Sequence, residues 1–216
     1  MIIRGVITGD VIGSSNIKPE NRSLLLDCLN AMKDELISIS PFKMEIFRGD
    51  SFQLLVEQPE KTIELAILLR AGLIHHTPSK KEGIWDAKVS VGIGTVNFIS
   101  DEIITSDGEA FQYSGRLFDK MGKQRLMVKT PWSNVDEELS VSTPFADDII
   151  TRWSIKQAGM VYLSLMKNQS RKDLAELAGT SAQNVSDILS TAREALIRKY
   201  IERCIKIITP RLKLRL

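Results

Sequence analysis

The order in which hydrophobic periodicity changes along residues 1–129 restricts the fold more than any other feature of the chain. Residues 2–7 are short, apolar and β-branched, the pattern of a buried strand, and run directly into Thr8-Gly9-Asp10 and a small polar loop, Gly13-Ser14-Ser15-Asn16. Pro19 suits a first helical position, and Leu24, Leu25, Cys28, Leu29, Met32 and Leu36 recur at helical spacing up to Pro41. Residues 44–47 and 52–56 read as two strands joined by the tight turn Arg48-Gly49-Asp50-Ser51. An amphipathic helix over 59–77 follows, with Ile63, Ala66, Ile67, Leu69, Ala71 and Ile74 on its apolar side. A glycine-rich strand over 88–94, a helix over 109–121 and a short strand over 126–129 complete this part.

The resulting order is β-α-β-β-α-β with an extra helix and strand. That order predicts an α+β, ferredoxin-like sheet-and-helix domain, its antiparallel sheet carrying the helices on one face. A length of 216 residues allows one large domain or two modest ones. The expected division is a sheet domain over 1–130, a linker over 131–144 marked by Pro131, Pro144 and the acidic Asp136-Glu137-Glu138, and a small all-α domain over 145–216. A composition of 43% hydrophobic and 26% charged residues is that of a globular protein and excludes low-complexity arrays. No apolar run reaches the length of a membrane span, and the N-terminus lacks a signal peptide's layout, so a cytoplasmic protein without a membrane partner is expected. Cys28 and Cys204 form no CxxC and read as two buried thiols.

Charge divides the chain. Residues 1–150 hold 16 Lys+Arg against 22 Asp+Glu, a net of −6, whereas residues 151–216 hold 13 against 5, a net of +8. A basic tail on an acidic body suits a polyanion such as nucleic acid, or simply a solvated helix surface. Within that tail, residues 170–189 fit a helix-turn-helix. Ala175 is small enough for helices to approach, Gly179 supplies a left-handed turn, and Val185 packs the second helix on the first. Ser181 is the N-cap, which places Gln183, Asn184 and Ser186 at the start of a recognition helix. Asn and Gln suit bidentate contacts to adenine, so Ser181, Gln183, Asn184 and Ser186 are the candidate DNA-binding residues. An αα-hairpin that merely packs on the body fits the same spacing. Trp153, Val161, Tyr162, Leu165 and Met166 read as core, and residues 195–216 as a basic amphipathic cover for the domain or a dimer partner.

In a ferredoxin-like sheet the first strand lies beside the third, so the hairpin turn can bring Asp50 next to Asp10. Two facing carboxylates suit a hard divalent cation such as Mg²⁺ or Mn²⁺. Asp10 followed by Val11-Ile12-Gly13-Ser14, and Gly49-Asp50 between the next two strands, resemble the two metal-binding aspartate positions of class III nucleotidyl cyclases. The resemblance continues in residues 107–117. Gln112 and Arg116, four apart on one helix face, stand where those cyclases carry an Asn and an Arg that hold ribose and triphosphate through the transition state. It implies catalytic roles for Gln112 and Arg116, nucleotide binding by Thr105, Gln112 and Arg116, and metal binding by Asp10 and Asp50. Gln replaces Asn, Ile46 replaces a hydrogen-bonding base selector, Thr105 replaces the usual Asp, and Lys129 is the one candidate for a displaced triphosphate lysine. Over the whole chain the layout resembles the SatD family: a cyclase-like body, then Trp153 and Gln157, then a helix-turn-helix.

Two functions follow as expectations. One is a dimeric, nucleotide- or metal-responsive DNA-binding regulator whose cyclase-like domain has lost base selection. The other is an active nucleotidyl cyclase or nucleotidyltransferase using a nucleoside triphosphate and a divalent metal. His75-His76 reads as a surface pair at a helix end rather than a metal site, and Glu137-Glu138 as solvated linker.

Overall fold

The computed structural model describes residues 2–80, 83–100, 103–167 and 169–213. Strand β1 (Ile2–Val11) leads to helix α1 (Pro19–Leu36), and β2 (Phe42–Phe47) and β3 (Ser51–Val56) form a hairpin. Helix α2 (Thr62–His75) precedes the long β4 (Ala87–Phe98), the two-residue β5 (Asp107–Gly108), α3 (Glu109–Lys120) and β6 (Leu126–Lys129). Five helices complete the chain: α4 (Ser133–Thr151), α5 (Ile155–Lys167), α6 (Arg171–Leu177), α7 (Ala182–Thr191) and α8 (Glu194–Lys213). The sheet runs β2-β3-β1-β4-β5, with β6 parallel to β4 and the other pairs antiparallel. The predicted ferredoxin-like order is present, and Pro19 stands at the first residue of α1 as expected.

Alternation along β1, β3 and β4 gives the sheet two apolar faces. Ile7, Leu54, Val56, Val89, Val91 and Ile93 face α1 and α2 in the main core, while Val6, Leu55 and Val96 join Ala110 in a second cluster. The expectation of helices on one face is therefore corrected: α3 covers the opposite face. Gly92 permits this, because a Cβ there would lie 2.1 Å from the Ala110 carbonyl oxygen and 2.6 Å from the Ser114 nitrogen.

Helix α2 was expected to be amphipathic and is instead buried from Thr62 to Ile74 at every residue but the half-buried Glu64. One side packs on the sheet and the other receives α5, so an all-round apolar helix has no solvated face. Its one charged buried residue, Arg70, donates to Asp86 through Nε (2.9 Å) and Nη2 (2.7 Å), to Asp147 through Nη1 (2.6 Å) and to Thr151 through Nη2 (3.0 Å). Arg125 adds a bond from Nη1 to Asp86 (2.9 Å) and one from its backbone N–H to Asp147 (2.8 Å).

The segment read as a linker is also corrected. Residues 133–144 are the front of α4, which continues through Pro144. A helix-interior proline costs about 3 kcal/mol. Here Val135, Leu139, Thr143, Ala146 and Ile150 form a buried stripe that outweighs that cost, each large apolar side chain contributing about 1.5–3 kcal/mol. Glu138, expected in solvent, forms a two-bond ion pair with Arg203 of α8 at 2.6 and 2.9 Å. One continuous apolar core includes both sheet residues and Trp153, Val161, Leu174, Val185 and Ile197 of the helical region. Cys28 and Cys204 are buried and unpaired, as expected.

Candidate functional site

Register places the two carboxylates. Asp10, near the end of β1, pairs with Ser51 at the start of β3, and the Val11 N–H donates to the Asp50 carbonyl (3.0 Å). The Ser51 hydroxyl donates to Asp10 Oδ1 at 2.6 Å and lies 3.5 Å from Asp50 Oδ1, so a single hydroxyl stands between the two carboxylates. The Ser14 hydroxyl donates to Asp50 Oδ2 at 2.6 Å, tying the loop after β1 to the hairpin. The structure thus brings together the Asp10 and Asp50 singled out by sequence and adds Ser14 and Ser51.

These are hard oxygen donors, the chemistry Mg²⁺ or Mn²⁺ requires. Among the described residues no cluster of three or more His, Cys, Asp or Glu is placed to hold a metal. An ion here would therefore keep waters or take oxygens from a ligand. Asp10 and Asp50 are the residues that would hold it, and the ion would supply positive charge to a bound phosphate chain.

On the other side of Asp10, β4 sets Lys88 directly across in register. Thr8 and Ser90, two residues earlier on β1 and two later on β4, bond Ser114 of α3 at 2.7 and 3.3 Å, so Asp10 and Lys88 project to the α3 face. The Lys88 ammonium donates to the Gly122 carbonyl (2.7 Å) just beyond α3. Sequence reasoning missed Lys88 because only pairing register shows it beside Asp10. A cavity of about 350 Å³ opens next to Asp50, lined among others by Ser14, Arg22, Leu25 and Arg48.

Other sequence candidates lie apart from this cluster. Gln112 and Arg116 share one face of α3 as their spacing requires, with Arg116 Nη2 donating to Gln112 Oε1 at 3.4 Å. Both are exposed on the side away from the sheet, and neither bonds Asp10 or Asp50. Thr105 is exposed in a short turn, Ile103–Thr105, fastened by the Ile103 N–H to Glu45 (2.7 Å). Its neighbour Ile103 packs with Val6 and Leu55, four strand positions short of Asp10. Ile46 is half-buried against the edge of the main core. Lys129 forms an ion pair with Asp136 and lies 6.0 Å from the Tyr113 ring centre.

In the helical region the expected turn geometry is present. Gly179 has φ 60°, Ala175 and Val185 are buried, and the Thr180 N–H donates to the Ala175 carbonyl (2.9 Å). The Ser181 hydroxyl caps α7 by accepting from the Asn184 N–H (3.1 Å). Gln183 Nε2 donates to Asp187 (3.0 Å), Asn184 Nδ2 to Thr180 (2.7 Å) and the Ser186 hydroxyl to the Ala182 carbonyl (3.0 Å). The candidate side chains are therefore held in place within the chain. Helix α7 carries no Lys or Arg, so the basic charge of this region lies on the flanking helices. Residues 214–216 of the basic terminal stretch lie outside the described residues.

The sheet order, the carboxylate-bearing hairpin and the covering α3 define a ferredoxin-like α+β fold followed by a helical region. Among solved structures, the active GGEEF domain of a diguanylate cyclase from Vibrio cholerae is similar over 61% of this chain and 85% of that one, at TM-score 0.45 and 13% identity. A bacterial light-regulated adenylyl cyclase is similar over 59% and 75%, at TM-score 0.43 and 14% identity. The guanylyl cyclase Cya2 is similar over 55% and 70%, at TM-score 0.40 and 16% identity. No protein-family model and no curated protein matches the sequence. Among the described residues no helix is long and apolar enough to cross a membrane.

Proposed function

We infer that this protein is a nucleotide- and divalent-metal-responsive DNA-binding regulator whose cyclase-like domain binds ligand and mediates a homodimer. The observation that carries the reading is the meeting of Asp10 and Asp50 at the Ser51 hydroxyl, beside an open cavity. Two carboxylates that meet at one hydroxyl offer hard oxygen donors to a divalent ion, and such an ion holding a nucleotide's phosphates is the fitting occupant. The left-handed Gly179, the Ser181 cap and the +8 charge of residues 151–216 support DNA as the partner of the helical region. The layout of cyclase-like body, Trp153, Gln157 and helix-turn-helix supports a kinship with the SatD family.

The outward position of Gln112 and Arg116 favours binding over turnover. Stabilising charge on a transferring phosphoryl group needs a cation aimed at it, and Arg116 in one chain is not aimed at the carboxylates. The active-cyclase reading therefore requires a second copy to present its Arg116. Ile46 offers a purine no hydrogen bond, so base discrimination is weak and turnover of ATP or GTP is expected to be slight or nil.

Thermal-shift titration of the full chain with Mn²⁺ and ATP or GTP tests the ligand half. Stabilisation requiring metal and nucleotide together, and lost in both Asp10→Asn and Asp50→Asn, is the expected result. No metal-dependent stabilisation refutes it. For DNA, the full chain should bind duplex with an affinity that falls steeply with salt, and Gln183→Ala with Asn184→Ala should lose sequence preference more than overall affinity. Absence of any salt-dependent association removes DNA from the reading. Robust cyclic-nucleotide formation abolished by Asp10→Asn makes the enzyme reading the correct one.

A further inference from the structure

Two residues other than glycine hold a left-handed backbone among the described residues, and both are arginines: Arg48 (φ 52°) and Arg193 (φ 57°). Arg48 and Gly49 (φ 84°) are the central residues of the β2–β3 turn, closed by the Asp50 N–H to the Phe47 carbonyl (3.3 Å). Turns with two positive φ values favour Asn, Asp or Gly at their first central position, because those residues relieve the clash of Cβ with the following carbonyl. Arginine does neither of the things that relieve it. Strain of this kind persists where the side chain has work in that place.

The place is the cavity beside Asp50. Arg48 lines it from the turn and Arg22 from the first turns of α1, together with Ser14, Leu25 and Asp50. Among the described residues neither guanidinium has an ion-pair partner. Each presents a planar fork of donors, the geometry that grips phosphate oxygens in pairs. An apolar ligand would leave both cations without a counter-charge, whereas a chain of several phosphates offers each fork its own pair of oxygens.

We propose that Arg22 and Arg48 form a clamp for a polyphosphate chain, that of a nucleoside triphosphate or of free inorganic tripolyphosphate. The clamp itself rests on the two arginines and the cavity. Only the contact of the chain's far end with an ion at Asp10 and Asp50 rests on the metal–nucleotide reading above.

Titration calorimetry on the full chain tests this with sodium tripolyphosphate, ATP and orthophosphate, each with and without Mn²⁺. Tripolyphosphate and ATP bind, orthophosphate at least tenfold more weakly, and Arg48→Gly and Arg22→Gln each weaken the first two at least tenfold. Arg48→Gly also leaves the urea unfolding midpoint unchanged or higher, since glycine adopts φ 52° freely. Loss of affinity without loss of stability is what a merely structural arginine would not give. No tripolyphosphate binding, affinity within twofold in Arg48→Gly, or orthophosphate binding as tight as tripolyphosphate overturns the clamp. If Arg48 matters but Asp10→Asn and Asp50→Asn leave the Mn²⁺ effect intact, the clamp stands and the metal reading falls. Dependence on the carboxylates alone has the opposite meaning.

Discussion

Replacing Arg70 with methionine removes the positive charge from a site where its side chain is fully buried and faces two carboxylates. Burial alone would lower the pKa of this guanidinium, but Asp86 and then Asp147 carry it above its ordinary value, so it is charged at every pH at which the protein folds. The variant strands Asp86 and Asp147. Asp86 retains the half-exposed Arg125 and the Ala87 N–H (2.8 Å), and Asp147 retains the Arg125 N–H. Two independent buried pairs broken from one side would cost about 3–5 kcal/mol each, and the surviving partners bring the total down to about that of one pair. Against a whole-protein stability of about 5–15 kcal/mol, that is from about a fifth to all of the margin. Arg70→Lys keeps the charge but not the fork, and should lose about half as much. Adding Asp86→Asn and Asp147→Asn to Arg70→Met should recover most of the loss, because no net charge is then left buried. Urea unfolding followed by tryptophan fluorescence at pH 7 measures this. An Arg70→Met protein within about 1 kcal/mol of the parent, or one that the two Asp→Asn changes destabilise further, refutes the reasoning.

The remaining predictions concern titrating groups. His75 is held below its ordinary value of 6.5, first by burial and then by the neighbouring His76, so the unfolded chain binds the proton more readily. Its contribution to stability is intact above pH 6.5 and is lost as pH falls below that value, and His75→Asn should flatten the dependence between pH 7 and 5; an unchanged slope counts against it. Burial, with Glu35 nearby, pushes the Cys28 thiol up to about 12, and burial likewise raises Cys204 to about 12. Neither should react with a disulfide reagent at pH 8 in the folded protein, and both should react in urea; rapid labelling of the native chain contradicts their placement.

Local patterns in the sequence carried the order of strands and helices, the start of α1 at Pro19, the strand over 126–129 and the turn at Gly179, because each is decided within a few residues. Asp10 and Asp50 were legible as a pair for a different reason: once the strand order is known, their neighbourhood follows from topology. What could not be read depends on tertiary partners. Pro144 signals a break, and only the stripe it interrupts, packed on β6 and α8, keeps α4 whole. The second helical face of the sheet was hidden because the glycines at 92 and 94 give no apolar signal, although they are what let α3 approach. Lys88 needed register, and Arg48 needed a backbone angle that sequence does not display. Gln112 and Arg116 kept their spacing, but spacing does not reveal which way a helix face turns.

Helix α2 is a wall with a room on either side, the sheet leaning on one surface and α5 on the other. In a genetic screen, lesions that disturb the sheet and lesions that disturb the helical region should therefore fall in the same stretch, residues 62–74, and resist separation into two classes. Compensating changes for a lesion there should arise on both sides of the wall, in β4 as readily as in α5. Residues of the two regions that touch α2 are thus bound to vary together over evolutionary time, while the outer surfaces of each remain free to diverge. A natural variant that alters one behaviour alone is most easily reached from those outer surfaces, around Arg48 or along α7, and least easily from the shared helix.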